Sequence, residues 1–120
     1  MKKKTILFIH QNFPAQFKFL APHLSLNKDY EIYSLSLKKN RENKELDENL
    51  SSMKNITHYQ YEITRGSTED IHVLAAEFEA KMIRAEAVAK KCLELKETGL
   101  QPDLIINHPG WGEIYLLKDV

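Results

Sequence analysis

The sequence predicts an α/β fold, a doubly wound, Rossmann-like parallel sheet of about four strands in the order 3-2-1-4, incomplete at its C-terminal side. Three observations predict it. Thr5 to His10 and Asp103 to Asn107 are short, continuous apolar runs of the kind buried on both faces of a parallel sheet. Segments with helical spacing alternate with the strand-like ones. The first turn and the last turn both carry chain-reversing and capping residues at the boundaries such units need.

The first strand runs from Thr5 to His10. After it Asn12 can cap a helix, Pro14 suits a first turn, and Phe13, Phe17, Leu20 and Leu24 recur on one helical face, so a helix ending near Asn27 is expected. Asn27 is a residue that tolerates a left-handed C-terminal position. Glu31 to Leu37 reads as the second strand. From Lys38 to Asn55 the chain is polar and reads as an exposed excursion, with room for a short helix at Glu42 to Leu50. The basic trio Lys38, Lys39 and Arg41 is followed at once by Glu42, Glu45, Asp47 and Glu48, the pattern of a solvated loop.

Thr57 to Ile63 is the third strand, and Ser67 or Thr68 can cap the next helix. Ile71, Ala75, Phe78, Met82, Ala85, Ala89 and Cys92 keep a four-three rhythm, so Glu69 to Lys96 reads as one long amphipathic helix or two in tandem, with a core-packing stripe. Gly99 ends it, Pro102 prevents its resumption, and Asp103 to Asn107 is the fourth strand. Glu113 to Val120 then starts another helix.

At 120 residues the chain fits one domain, able to bury roughly two thirds of its unfolded surface. Lysine plus arginine (17) balances aspartate plus glutamate (17), so no global field draws the protein to nucleic acid. The lone Cys92 excludes an internal disulfide and a cysteine-based zinc site, and suggests a reducing, cytoplasmic setting. His23, His58 and His72 lack the spacing of metal ligands and read as surface or packing residues. No metal or resident cofactor is expected. Lys2, Lys3 and Lys4 precede an apolar run too short for a secretory leader.

In the expected strand order the winding reverses between strands one and four, which opens a crevice at their carboxyl ends. His10, Gln11, Phe13 and Gln16 belong to one loop there, and His108, Gly110, Trp111, Gly112 and Glu113 to the other. The second loop concentrates two of the four glycines and the only tryptophan. Its glycines permit close backbone approach, the helix start after Gly112 offers amides to an oxygen-rich ligand, and Trp111 has a flat face on which a sugar can stack. The plainer alternative has Trp111 packed on the domain and Glu113 favouring a first helical turn. The turn after strand one holds no glycine, so the dinucleotide fingerprint is absent.

The block from Ile6 to Phe17, with Leu20-Ala21-Pro22-His23-Leu24, resembles the opening of a subgroup of family 4 glycosyltransferases. So does the block from Pro102 to Glu113, with its tail Leu116 to Val120. The resemblance implies two Rossmann-like domains of the GT-B type facing a cleft, and transfer of a sugar from a nucleotide-sugar donor with retention. It implies that residues 1–120 are the acceptor-side N-terminal domain, C-terminally truncated, and that His108 lies near the transferred sugar. Donor binding and the paired-glutamate motif would belong to a C-terminal domain, so no catalytic residue is expected here and the segment would be inactive alone. The chain departs from the family in having Lys28-Asp29-Tyr30-Glu31 where Gly-His-Glu is frequent. Partners implied are a glycan or lipid-linked acceptor and the donor, with peripheral membrane association left open. An exposed fourth strand would favour self-association. A stand-alone α/β module binding a sugar or nucleotide without catalysis is the alternative.

Overall fold

The computed structural model describes residues 3–38, 55–64, 66, 68–108 and 112–120. Its strands are β1 (Lys4–Ile9), β2 (Tyr30–Leu37), β3 (Ile56–Tyr61) and β4 (Leu104–Asn107), and its helices are α1 (Leu20–Ser25) and α2 (Val73–Glu97). Short 3-10 turns occupy Ala15–Phe17 and Leu117–Asp119. The four strands form one sheet in the order β3-β2-β1-β4, as the sequence predicts. β1 pairs in parallel with β2, setting Ile6 against Ile32 and Ile9 against Leu35. On its other side β1 pairs in parallel with β4, setting Ile6 against Leu104 and Ile9 against Asn107.

The chain divides into two compact units. The first comprises Met1–Gln60 and Gln101–His108, the second Tyr61–Leu100 and Pro109–Val120. In the first, Ile6, Phe8, Phe13, Ala21, Ile32 and Ile56 form a buried cluster with Phe17, Leu24, Tyr30 and Ile106 packed against it. Phe8 anchors the cluster, its ring 5.1 Å from that of Phe17 and 6.0 Å from that of Phe13. Full burial of such a side chain contributes about 1.5–3 kcal/mol. Leu7 and Ile9, which alternate with Ile6 and Phe8 and so point to the opposite face, are also buried. The continuous apolar run of β1 is thereby explained.

Local structure departs from expectation at several places. The single helix from Asn12 to Asn27 is instead a 3-10 turn followed by α1. Pro22 is the cause: without an amide hydrogen, and clashing with the carbonyl four residues back, it fits only a first helical turn, so the helix begins at Leu20. Asn27 does not take a left-handed conformation. Its Oδ1 accepts from the Asp29 amide at 2.9 Å, a side-chain-built turn leading into β2.

The long helix begins at Val73 rather than Glu69, because Asp70 is left-handed (φ 58°) and interrupts the helical path. His72 is its N-cap, with Nδ1 accepting from the Leu74 amide at 3.1 Å, while Thr68 spends its amide and hydroxyl on the Glu79 carboxylate. At the other end Gly99 is left-handed (φ 102°), and bonds from the Gly99 amide to Lys96 and from the Leu100 amide to Leu95 complete a Schellman stop, as its glycine predicts.

The expected stripe of α2 is buried only in part: Ala85 and Ala89 are buried, whereas Phe78 is 62% exposed; outside the stripe, Val88 and Leu95 are buried as well. β3 ends at Tyr61, short of the expected Ile63. The predicted helix from Glu113 to Val120 is a run of turns ending in the 3-10 segment. The helix expected at Glu42 to Leu50 lies outside the described residues. Among the described residues no helix is long and apolar enough to cross a membrane.

Candidate functional site

Because β1 and β4 are parallel neighbours, the residues that follow them leave the sheet at the same edge. His10 follows Ile9, and its backbone amide donates to the Leu35 carbonyl at 3.1 Å, extending the ladder by one rung. The next residues fold back tightly. Phe13 donates its amide to the His10 carbonyl, and the Gln11 carbonyl accepts from Leu37, both at 3.1 Å. The Asn12 amide donates to Nδ1 of the His10 ring at 2.9 Å. A backbone amide can only donate, so Nδ1 carries a lone pair and the hydrogen of the neutral ring resides on Nε2.

The His10 ring is 5% exposed and sits edge-on to Phe17, with ring centroids 6.2 Å apart. From β4 the His108 ring approaches it to 5.7 Å between centroids. Two segments 98 positions apart in the chain thus meet, the numbers 10 and 108 being those of the paired histidines. Burial first, and then the charge of His108, holds His10 below its ordinary 6.5, while the Gln16 amide favours the charged form. His10 Nε2 and His108 Nδ1 are buried without a hydrogen-bond partner in this arrangement. Gln16 is exposed in the 3-10 turn and Gln11 is half-buried.

The remaining candidates divide. Phe13 is 1% exposed and belongs to the core cluster, so it supports the loop and offers no surface to a ligand; its apolar ring is held against Phe8. Gly110 and Trp111 lie outside the described residues. Gly112 and Glu113 belong to the second unit. Gly112 is left-handed (φ 93°), and a Cβ there would meet the Lys81 carbonyl oxygen at 2.5 Å, so glycine serves close packing against α2. Turns follow it, which removes the helix start that was expected to present amides.

Glu113 is 1% exposed, turned inward to the electrostatic neighbourhood of Tyr61 and Arg84. Burial and the Glu113 charge push the Tyr61 phenol well above its ordinary value, with Arg84 opposing, so the phenol stays protonated. Burial alone pushes the Cys92 thiol up to about 11, which keeps it a packing residue and not a nucleophile.

Sequence reasoning missed Asn107 and Ser34. Asn107 Nδ2 donates to the His108 carbonyl at 2.9 Å and fixes the exit from β4. Ser34 Oγ and His58 Nδ1 are hydrogen-bonded at 2.6 Å across β2 and β3, beneath the Phe13 ring. No motif marks either pair. A separate hollow of about 440 Å³ lies at the amino ends of β2 and β3, lined by Lys3, Lys28, Glu31, Tyr33 and Thr57 among others. It lies at the end of the sheet opposite His10, and its mixed charges single out no ligand.

The model of the family described as the glycosyl transferase family 4 group matches residues 30–120 of the chain. The match takes in β2, β3, α2, β4 and the segment from His108, and leaves β1 and His10 ahead of it. No curated protein and no solved structure matches the chain.

Proposed function

The chain belongs to the glycosyl transferase family 4 group, and from that premise we propose that it forms the acceptor side of the cleft of a retaining glycosyltransferase of the GT-B type. In this reading a nucleotide-sugar donor and the catalytic groups are held by a second domain, and the present segment supplies binding surface alone. A cytoplasmic setting goes with it. The observation that supports the reading is the meeting of His10 and His108 at the carboxyl ends of adjacent parallel strands, the edge at which open α/β sheets take their ligands.

The chemistry suits a polyol. The Nε2 hydrogen of His10 is a buried donor, and Nδ1 of His108 is a buried nitrogen beside it. A hydroxyl both donates and accepts, so a sugar hydroxyl can pair with the outward nitrogen of His108 whichever of its nitrogens carries the hydrogen. Gln11 and Gln16 add amides at the rim. Binding by so few groups without a second domain is expected to be weak.

The test is a pair of titrations on the chain. Calorimetry with UDP-glucose is expected to give no heat. Titration of the 15N-labelled chain with a panel of neutral oligosaccharides is expected to move the His10 and His108 signals and leave Lys28 and Tyr33 unmoved. Tight nucleotide-sugar binding by these residues alone would favour a self-contained nucleotide-binding module, and saccharide shifts confined to the hollow at the opposite sheet end would dismiss the histidine site.

A further inference from the structure

Three features of the His10 and His108 pair fit one arrangement. The Asn12 backbone amide donates to His10 Nδ1 at 2.9 Å and, being unable to reverse, fixes the hydrogen of neutral His10 on Nε2. That Nε2 is buried and has no partner of hydrogen-bonding geometry. The nitrogen of His108 that is also buried and unpartnered is Nδ1. These two unpartnered nitrogens belong to rings whose centroids are 5.7 Å apart and tilted by 58°.

We infer that Asn12, His10 and His108 form a one-way hydrogen-bond relay, in which the His10 Nε2 hydrogen is donated to His108 Nδ1 and thereby holds His108 as the Nε2–H tautomer, with that N–H presented outward as a donor. His10 is then a positioning residue: it touches no ligand itself and sets which nitrogen of His108 can give a hydrogen to a ligand oxygen. The inference deepens the proposed sugar-binding reading and rests on it for its use, but the relay exists or fails without any sugar.

The geometry names which ring must move. His10 is pinned by the Asn12 amide on one edge and by Phe17 against another. His108 is only half-buried, so its ring is the freer of the two to turn into the bond. Closing it relieves two orphaned buried groups at once, and a buried polar group left without a hydrogen bond is destabilising. The competing acceptor is the Gln16 side chain, which favours the protonated His10 ring. Gln16 is exposed to solvent, whereas His108 Nδ1 is buried. The groups facing His10 are thus His108 from β4, Gln16 from the 3-10 turn and the apolar ring of Phe17.

Histidine tautomers are read directly from long-range proton–nitrogen correlation spectra of the 15N-labelled chain. At about pH 8, above the ordinary histidine range of about 6.5, both His10 and His108 are expected as Nε2–H tautomers. In His10→Phe, which keeps a ring and removes its nitrogens, His108 is expected to lose that preference and show a mixture. In Gln16→Ala both tautomers are expected to persist. In His108→Phe, His10 is expected to remain Nε2–H, because Asn12 still sets it, while its titration moves upward with the loss of a neighbouring charge.

His108 found as the Nδ1–H form in the wild type overturns the relay. So does an unchanged His108 tautomer in folded His10→Phe. If His10→Phe does not fold, the wild-type and Gln16→Ala spectra decide: loss of the His108 preference in Gln16→Ala would transfer the role to Gln16 and overturn it equally. Saccharide titration moving no histidine signal would sink the sugar reading and leave the relay standing, so the two failures are distinct.

Discussion

β1 and β4 are written in nearly the same alphabet, and the fold treats them differently. Ile6, Leu7, Phe8 and Ile9 of β1 are 0–6% exposed; Leu104 and Ile105 of β4 are 51% and 38% exposed. Both strands are parallel and they pair with each other, so neither composition nor direction separates them. Rank in the sheet does. β1 has a hydrogen-bonded strand on each side and β4 is last in the order. An apolar run states that a strand can be buried, and its neighbours decide whether it is. The histidines that continue the two strands repeat the lesson: His10, after the central strand, is 5% exposed, and His108, after the edge strand, is half-buried.

Truncation of the two strands gives the largest test of this contrast. Phe8→Ala is expected to cost about 3–5 kcal/mol, the range for deleting a buried aromatic ring, enough to unfold a domain of ordinary stability. Ile105→Ala is expected to cost about 1 kcal/mol or less, because much of the side chain already meets water. Urea unfolding followed by circular dichroism measures both. Similar losses at the two positions would mean that β4 is covered in solution as β1 is.

Such cover has an evident source. An edge strand with exposed apolar residues is a template for another strand, and a second copy of the chain supplies one. Sedimentation is therefore expected to show dimers or larger species at high concentration, and Ile105→Lys is expected to return the protein to a monomer with little change in its unfolding curve. A monomer at every concentration would show that the edge is blocked by its own side chains.

This contrast also marks how far the sequence could be read. The strand order was legible, since alternating strands and helices with right-handed crossovers leave few arrangements. The pairing of β1 with β4 followed from it, and with it the approach of His10 and His108. The interrupted first helix was legible in principle, through Pro22, but the even spacing of Phe13, Phe17, Leu20 and Leu24 outweighed it. Phe13 as a core residue and Glu113 as a buried carboxylate were not legible, because the direction of a loop side chain depends on packing from distant segments. Gly112 was read as a ligand contact for the same reason; only the Lys81 backbone, 31 positions earlier in the numbering, reveals its purpose.

A smaller effect comes from the titration of His10. His10 is held below 6.5 in the folded chain, so between its folded value and 6.5 the unfolded chain binds more protons. Stability then rises with pH across that window: the contribution is complete above the unfolded value and is lost as pH falls through the folded one. Unfolding curves collected from mildly acidic to neutral pH are expected to show this slope in the wild type. In His108→Phe the slope is expected to shrink, since one of the two causes that lower His10 is gone while burial remains. A slope that survives unchanged in that variant would assign the whole depression to burial.

The smallest effect has the opposite sign and comes from the rim. Gln16 favours the charged form of His10, so Gln16→Ala removes a group that raises its value and is expected to move His10 titration further down. The window over which acid destabilises the chain then extends to lower pH, with no change in stability at neutral pH, where His10 is uncharged either way. Histidine ring signals followed through an acid titration read the displacement directly. An upward movement instead would mean that Gln16 chiefly shields the ring from water, and His10 would owe its burial in part to an exposed residue of the 3-10 turn rather than to its place at the end of the central strand.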